Sequence, residues 1–149
     1  MQTVALLRDL FAYDQWANAL FLDLVVPGDS LRLMAHLFAS QRIWWSRIQG
    51  EEPGIERLPD LSIEECRALA GTMYPLWREY LATCPEERLL EPVSYINAEG
   101  NHFTSRLVDI LMQVANHGTY HRGQMARALR QEGIMPPRTD YIAYVWEMG

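Results

Sequence analysis

Apolar residues recur every three to four positions over four long stretches of this chain, and the gaps between them carry residues that end helices. Val4, Leu7, Phe11, Ala12, Ala19, Leu20 and Leu24 mark a first stripe from about Thr3 to Val26, closed by Pro27-Gly28-Asp29. A second run opens after Asp29 or Ser30 and carries Leu33, His36, Leu37, Ser40, Trp44 and Ile48. It ends at Gln49, where Gly50 is placed to form a left-handed cap. Pro53, Gly54 and Pro59 then read as loop through Asp60. A third helix begins at the capping box Ser62-Ile63-Glu64-Glu65, whose end side chains can satisfy each other's backbone donors. It continues towards Cys84, and Pro75 inside it is expected to kink or divide it.

From Pro85 to Ser105 the helical period fails. Val93-Ser94-Tyr95-Ile96 and His102-Phe103-Thr104 flank Asn97-Ala98-Glu99-Gly100-Asn101, a pattern compatible with a small hairpin. The fourth helix starts near Thr104 or Ser105 and stops before Gly133, with Leu107, Ile110, Val114, His117, His121, Met125 and Ala128 on one stripe. Met135-Pro136-Pro137 breaks the chain, and Thr139 or Asp140 is placed to cap a last short helix carrying Tyr141, Tyr144, Val145 and Trp146. The expected class is all-α: a four-helix bundle with a small hairpin or irregular insertion before the last long helix. The length suggests a single domain over residues 1–149. A chain of this size buries roughly 68–70% of its unfolded surface and needs no disulfide to hold a core.

Charge and composition exclude several functions. A formal charge of −6, with no basic cluster, argues against a surface that tracks phosphates, so no nucleic-acid partner is expected. Arg8, Asp9 and Asp14 interrupt the first segment, and no run of eighteen apolar residues exists, so neither a signal peptide nor a membrane span is expected. Cys66 and Cys84 lie near opposite ends of one helical region, roughly 27 Å apart if it is straight, which is beyond disulfide reach. They read as reduced thiols of a cytoplasmic protein.

The chemistry concentrates in Asn116-His117-Gly118-Thr119-Tyr120-His121-Arg122. Positions four apart on a helix lie roughly 5–6 Å apart at Cβ, so His117 and His121 can reach one metal ion. His36 sits on the apolar stripe of another helix. Any one of these imidazoles alone is ordinary, since core histidines are commonly hydrogen-bonded and inert. Three on apolar stripes need partners, because an unpartnered buried polar group costs about 1–3 kcal/mol. A shared metal supplies a partner to all three. Gly118 beside the first histidine can allow close helix approach, although a glycine mid-helix costs about 1 kcal/mol relative to alanine.

The run NHGTYHRGQMARALRQEG from Asn116 to Gly133 resembles the C-terminal helix signature of the DinB-like (DinB/YfiT-like) family. The resemblance extends to YDQWANALFLDLV near the start, LMAHLFASQRIWWSRIQG in the second helix and PPRTDYIAYVWE at the end, nearly the whole chain in order. It implies a four-helix bundle, usually a homodimer, with one metal held by three histidines, which fall here on His36, His117 and His121. It also implies two activities: metal-dependent hydrolysis, and transfer using a low-molecular-weight thiol such as bacillithiol or mycothiol. Zinc and nickel suit such a site first, with manganese or iron also compatible.

Other residues carry weaker readings. The paired histidines lack the glutamate of His-Glu-x-x-His, which disfavours protease chemistry. Gln113 is either a group beside the metal or a boundary residue, and Trp16, Trp44 and Trp45 either wall a pocket over the metal or are plain core. Tyr120 and Arg122 are expected to point away from the face of His121, Arg122 into a structural ion pair or helix contact. Asp14, Asn18 and Asp140 match family-like polar positions or brace helix ends, and His102 reads as a surface residue. Three functions remain open: a metalloenzyme acting on a small molecule, a non-catalytic metal-binding or stress-response protein, and a dimeric structural bundle with hydrogen-bonded histidines and no metal.

Overall fold

The computed structural model describes residues 2–149. Five α-helices and one two-stranded sheet follow the chain in the order α1 (Thr3–Leu22), α2 (Asp29–Gln49), α3 (Ile63–Thr83), a 3₁₀ turn (Glu86–Leu90), β1 (Pro92–Ile96), β2 (His102–Arg106), α4 (Leu107–Gln131) and α5 (Tyr141–Met148). The long helices pack in a ring: α1 against α3 and α4, and α2 against the same two. Among the described residues, no helix is long and apolar enough to cross a membrane.

Local chemistry explains most boundaries. Gly50 ends α2 at φ 71°, and the amide of Glu51 reaches back to the carbonyl of Ser46 at 2.9 Å. The Ser62 box forms in full, with Ser62 Oγ accepting from the Glu65 amide and Glu65 Oε1 accepting from the Ser62 amide, both at 3.1 Å. Of the two effects expected of Pro75, division of the helix does not occur: α3 runs unbroken through it. Pro75 faces solvent, where water can satisfy the carbonyl it leaves free, while Cys66, Ala70, Met73, Trp77 and Leu81 hold one buried face on both sides of it. The hairpin forms as expected, with Tyr95 opposite Phe103 and Ile96 opposite an exposed His102. The first helix stops four residues early, at Leu22, in two turns before Pro27. Asp140 stands at the start of α5 without a side-chain cap bond.

The core has three levels. One apolar cluster joins Val4, Leu7 and Phe11 to Trp77, Leu81, Leu107 and Leu111, and a second joins Phe21, Met34, Phe38, Cys66, Met125 and Leu129. Between them along α1 and α4 lie Asp14, Asn18 and Arg122, all buried, joined from α2 by Gln41. This polar layer corrects the predicted stripe of α1, where Ala12 and Ala19 are exposed and Asp14, Ala17 and Asn18 face inward. Apolar periodicity cannot reveal a core face made of carboxylate and amide groups.

Candidate metal centre

The buried stripe of α4 runs through Val114, Ala115, Gly118, Arg122 and Met125, so His117 and His121 flank the core and are half-buried. His36 on α2, the helix packed beside them, is 8% exposed. The three rings meet edge to face, with centroids 5.0 Å apart for His36–His117, 4.6 Å for His36–His121 and 4.3 Å for His117–His121. One ligand nitrogen from each lies within 4.8 Å of the others.

Their hydrogen bonds prepare two of them as ligands. His36 Nδ1 donates to the backbone carbonyl of Arg57, in the loop after α2, at 2.8 Å. His121 Nδ1 donates to Oε1 of Gln124, one helical turn on, at 2.7 Å. A proton held on Nδ1 leaves Nε2 with the lone pair a metal needs. His36 Nε2 lies 3.2 Å from His117 Nε2, so His117 is the donor of that contact. At metal–nitrogen bonds of about 2.0–2.1 Å, adjacent ligands of a tetrahedral ion stand about 3.3–3.4 Å apart, so the spacing fits a shared ion. Burial first, then the charge His121 and His36 would carry, pushes the His117 imidazole down to about 4. Burial likewise lowers His36, against the carbonyl of Arg57 that raises it. Both rings are thus neutral, as ligands must be, near neutral pH.

The same helix holds the polar layer. Arg122 Nη1 donates to Asp14 Oδ1 at 2.6 Å and to Asn18 Oδ1 at 2.7 Å, while Asn18 and Gln41 amides donate to Asp14 Oδ2 at 3.1 and 3.0 Å. Burial raises the Asp14 carboxyl above its ordinary value, opposed by Arg122 and then by the two amides. Gly118, between the two histidines, is where Asp14 meets α4, since a Cβ there would overlap Oδ1 of that carboxylate.

The family model of the DinB family matches residues 29–148. The chain belongs to the DinB family. A curated relative, Protein DinB of Bacillus subtilis (strain 168), is 36% identical over 61 residues, covering 41% of this chain. The match spans 36% of that relative's own length. In this DinB-family chain the three histidines singled out from sequence do come together.

The surrounding residues are less well foreseen. Gln113 is exposed, and Gln124, which sequence reasoning missed, is the amide on a histidine. A helical i, i+3 spacing from His121 was the available signal. Arg122 does turn into a structural ion pair, but the Tyr120 ring lies 5.1 Å from that of His121 and does not point away from it. The three tryptophans have their ring partners elsewhere: Trp16 with Tyr13 and Tyr144, Trp44 with Tyr95, and Trp45 with Trp77 and Tyr80. Trp44 and Trp45 pack against the first apolar cluster, so for these two the plain-core reading describes the structure. Cys66 and Cys84 are free and buried, with burial pushing the Cys66 thiol up to about 11.

Proposed function

We propose that this chain, on a four-helix-bundle framework, holds a divalent transition metal with His36, His117 and His121 and uses it in hydrolysis or thiol-dependent transfer on a small molecule. The observation that carries this reading is the convergence of three imidazole nitrogens, two of whose rings are fixed through Nδ1 by protein acceptors. A bound divalent ion supplies Lewis acidity, lowering the pKa of a water or thiol beside it. The protein's part is to keep the His36 and His117 rings neutral and to hold all three rings in place on packed helices. Its own cysteines are poor candidates for the reacting thiol, because both are buried and burial raises both. In the transfer version the thiol is a separate small molecule, and the resemblance adds a homodimer as the working unit.

A non-catalytic metal site, as staple or reservoir, is the second reading. Two cavities, of about 640 and 280 Å³, are lined by residues other than the ligand histidines, which supports this reading. Elemental analysis after loading with zinc, nickel, manganese or iron should find about one metal per chain in the parent and none in the His117→Ala, His121→Ala double variant. No retained metal under any loading condition would falsify both metal readings. Cobalt-loaded protein then separates them: a spectrum that shifts on adding a small thiol marks an open coordination position, whereas an inert spectrum favours the staple.

Gln124 offers a finer check. Gln124→Ala frees the Nδ1 of His121, and outer-shell losses of this kind cost about tenfold or more in metal affinity. Competition against a chromophoric chelator should show that loss, with Gln124→Glu restoring affinity because it keeps an acceptor at the same reach. Unchanged affinity in the alanine variant would mean that the contact does not orient the ring.

A further inference from the structure

A second site forms where the chain returns to the bundle after α4. Residues 136–140 border, with α1 and α4, a cleft of about 640 Å³. Small-molecule sites usually span about 300–1,000 Å³, so this one has room for a compact organic ligand. On α4 its lining follows one helical face through Thr119, Gly123, Ala126 and Arg130, with Arg122 beside it. Tyr13, Phe21 and Arg122 are its buried lining. None of the three clustered histidines lines it.

Charge defines the occupant. In a chain of net charge −6, this cleft gathers three arginines, Arg122, Arg130 and Arg138, against one lining carboxylate, Asp140. Arg122 gives Nη1 to Asp14 and Asn18 and Nη2 to Thr119, leaving its Nε–H without a protein acceptor among the described residues. Arg130 makes no ion pair among the described residues. Arg138 meets Asp140 only at 3.8 Å, with both side chains exposed, a contact that contributes little. Two guanidiniums thus share one cleft with a single, loosely held counter-charge, and each offers the planar fork that fits a carboxylate or phosphate. Beside them Leu10, Tyr13 and Phe21 supply an apolar wall suited to a ring. The frame is also fixed in advance. Pro136 and Pro137 stiffen the segment that carries Arg138, and the Tyr13 hydroxyl donates to the Thr139 carbonyl and ties that segment to α1.

We propose that this cleft binds a small organic anion, a single ring bearing a carboxylate or phosphate group, at a site distinct from the histidine centre. Arg130 and Arg138 hold the oxyanion from two sides, and the ring lies against Tyr13 and Leu10. The proposal does not depend on the metal reading.

Titration calorimetry of the purified chain with benzoate and with phenylphosphonate tests it, with benzyl alcohol as the neutral ring. Saturable one-to-one binding of at least one anion is expected, about tenfold or more tighter than benzyl alcohol, and the tighter anion identifies the oxyanion. Arg130→Gln and Arg138→Gln, both at exposed positions, should each weaken that anion about three- to tenfold while circular dichroism shows the parent fold. Asp140→Asn removes the competing carboxylate and should tighten binding about twofold. The His117→Ala, His121→Ala double variant should bind the anion as the parent does, whatever its metal content. No saturation by either anion up to about 10 mM overturns the proposal. So does benzyl alcohol binding as tightly as the anions, or an affinity unmoved by both arginine substitutions. Anion binding lost in the histidine variant overturns it equally, since it would place the anion at the histidine centre.

Discussion

Arg122→Met is expected to lower the free energy of unfolding by about 3–5 kcal/mol, the usual effect of removing one partner of a buried ion pair. Both side chains of the pair are almost fully buried, at 3% for Arg122 and 5% for Asp14. Methionine keeps much of the volume, so the loss reports the stranded carboxylate and the freed Asn18 Oδ1 rather than a cavity. Removing Asp14 as well, in Asp14→Leu with Arg122→Met, should cost less than the two single losses added together, by about 1–3 kcal/mol. Recovery will be incomplete, because the Gln41 and Asn18 amides then lose their acceptor.

The pH dependence follows from the same residue. Burial already raises Asp14, and Arg122 is the strongest influence lowering it. In the methionine variant its folded-state pKa therefore rises further above the unfolded value. A carboxyl raised on folding binds more protons in the folded state, so its stability is present below the unfolded pKa and is lost as pH rises through the folded one. The deficit of the variant should be smaller at acid pH than at neutral pH. Urea denaturation of both proteins across that range measures it. A loss below about 1 kcal/mol, or a deficit independent of pH, would show that the pair is not the strut of the middle layer.

The parts of the molecule readable from sequence are those whose cause is local. Gly50 and the Ser62–Glu65 box set helix ends through their own backbones, and each formed as expected. The hairpin around Asn97 is likewise a matter of neighbouring residues. The histidine trio was legible because three imidazoles on apolar stripes need partners, and because the family resemblance places its three metal ligands on these positions. What periodicity misread is the middle of α4, where the buried face passes through Gly118 and Arg122 and not through the histidines. A buried arginine looks like a surface residue until its partners are known. Those partners, Asp14, Asn18 and Gln41, come from two other helices, and from sequence Asp14 and Asn18 offer either a family-like polar position or a helix brace. The cleft beside Arg122 was invisible for the same reason, since it depends on α1, α4 and the proline segment at once.

Gly118→Ala brings these layers into one experiment. An alanine mid-helix ordinarily gains about 1 kcal/mol over glycine through backbone entropy, so propensity alone predicts a more stable protein. The new methyl group would sit inside contact distance of Asp14 Oδ1 and 2.9 Å from Arg122 Nη1. Asp14 cannot swing aside cheaply, because Arg122, Asn18 and Gln41 hold its two oxygens in a buried site. Either the ion pair breaks or α1 moves away from α4, and overpacking of this kind costs about 1–3 kcal/mol. The overlap should at least cancel that gain, leaving a net destabilisation of about 0–2 kcal/mol once the helical gain is subtracted. Because residue 118 lies between the two histidines of α4, a shift of that segment should also weaken metal binding. Asp14→Ala, Gly118→Ala removes the closer overlap and frees the Arg122 guanidinium to give way, so it should restore part of the metal affinity even though the ion pair is gone. A Gly118→Ala protein more stable than its parent would mean that the polar layer yields freely, and the account of Arg122 would fall with it.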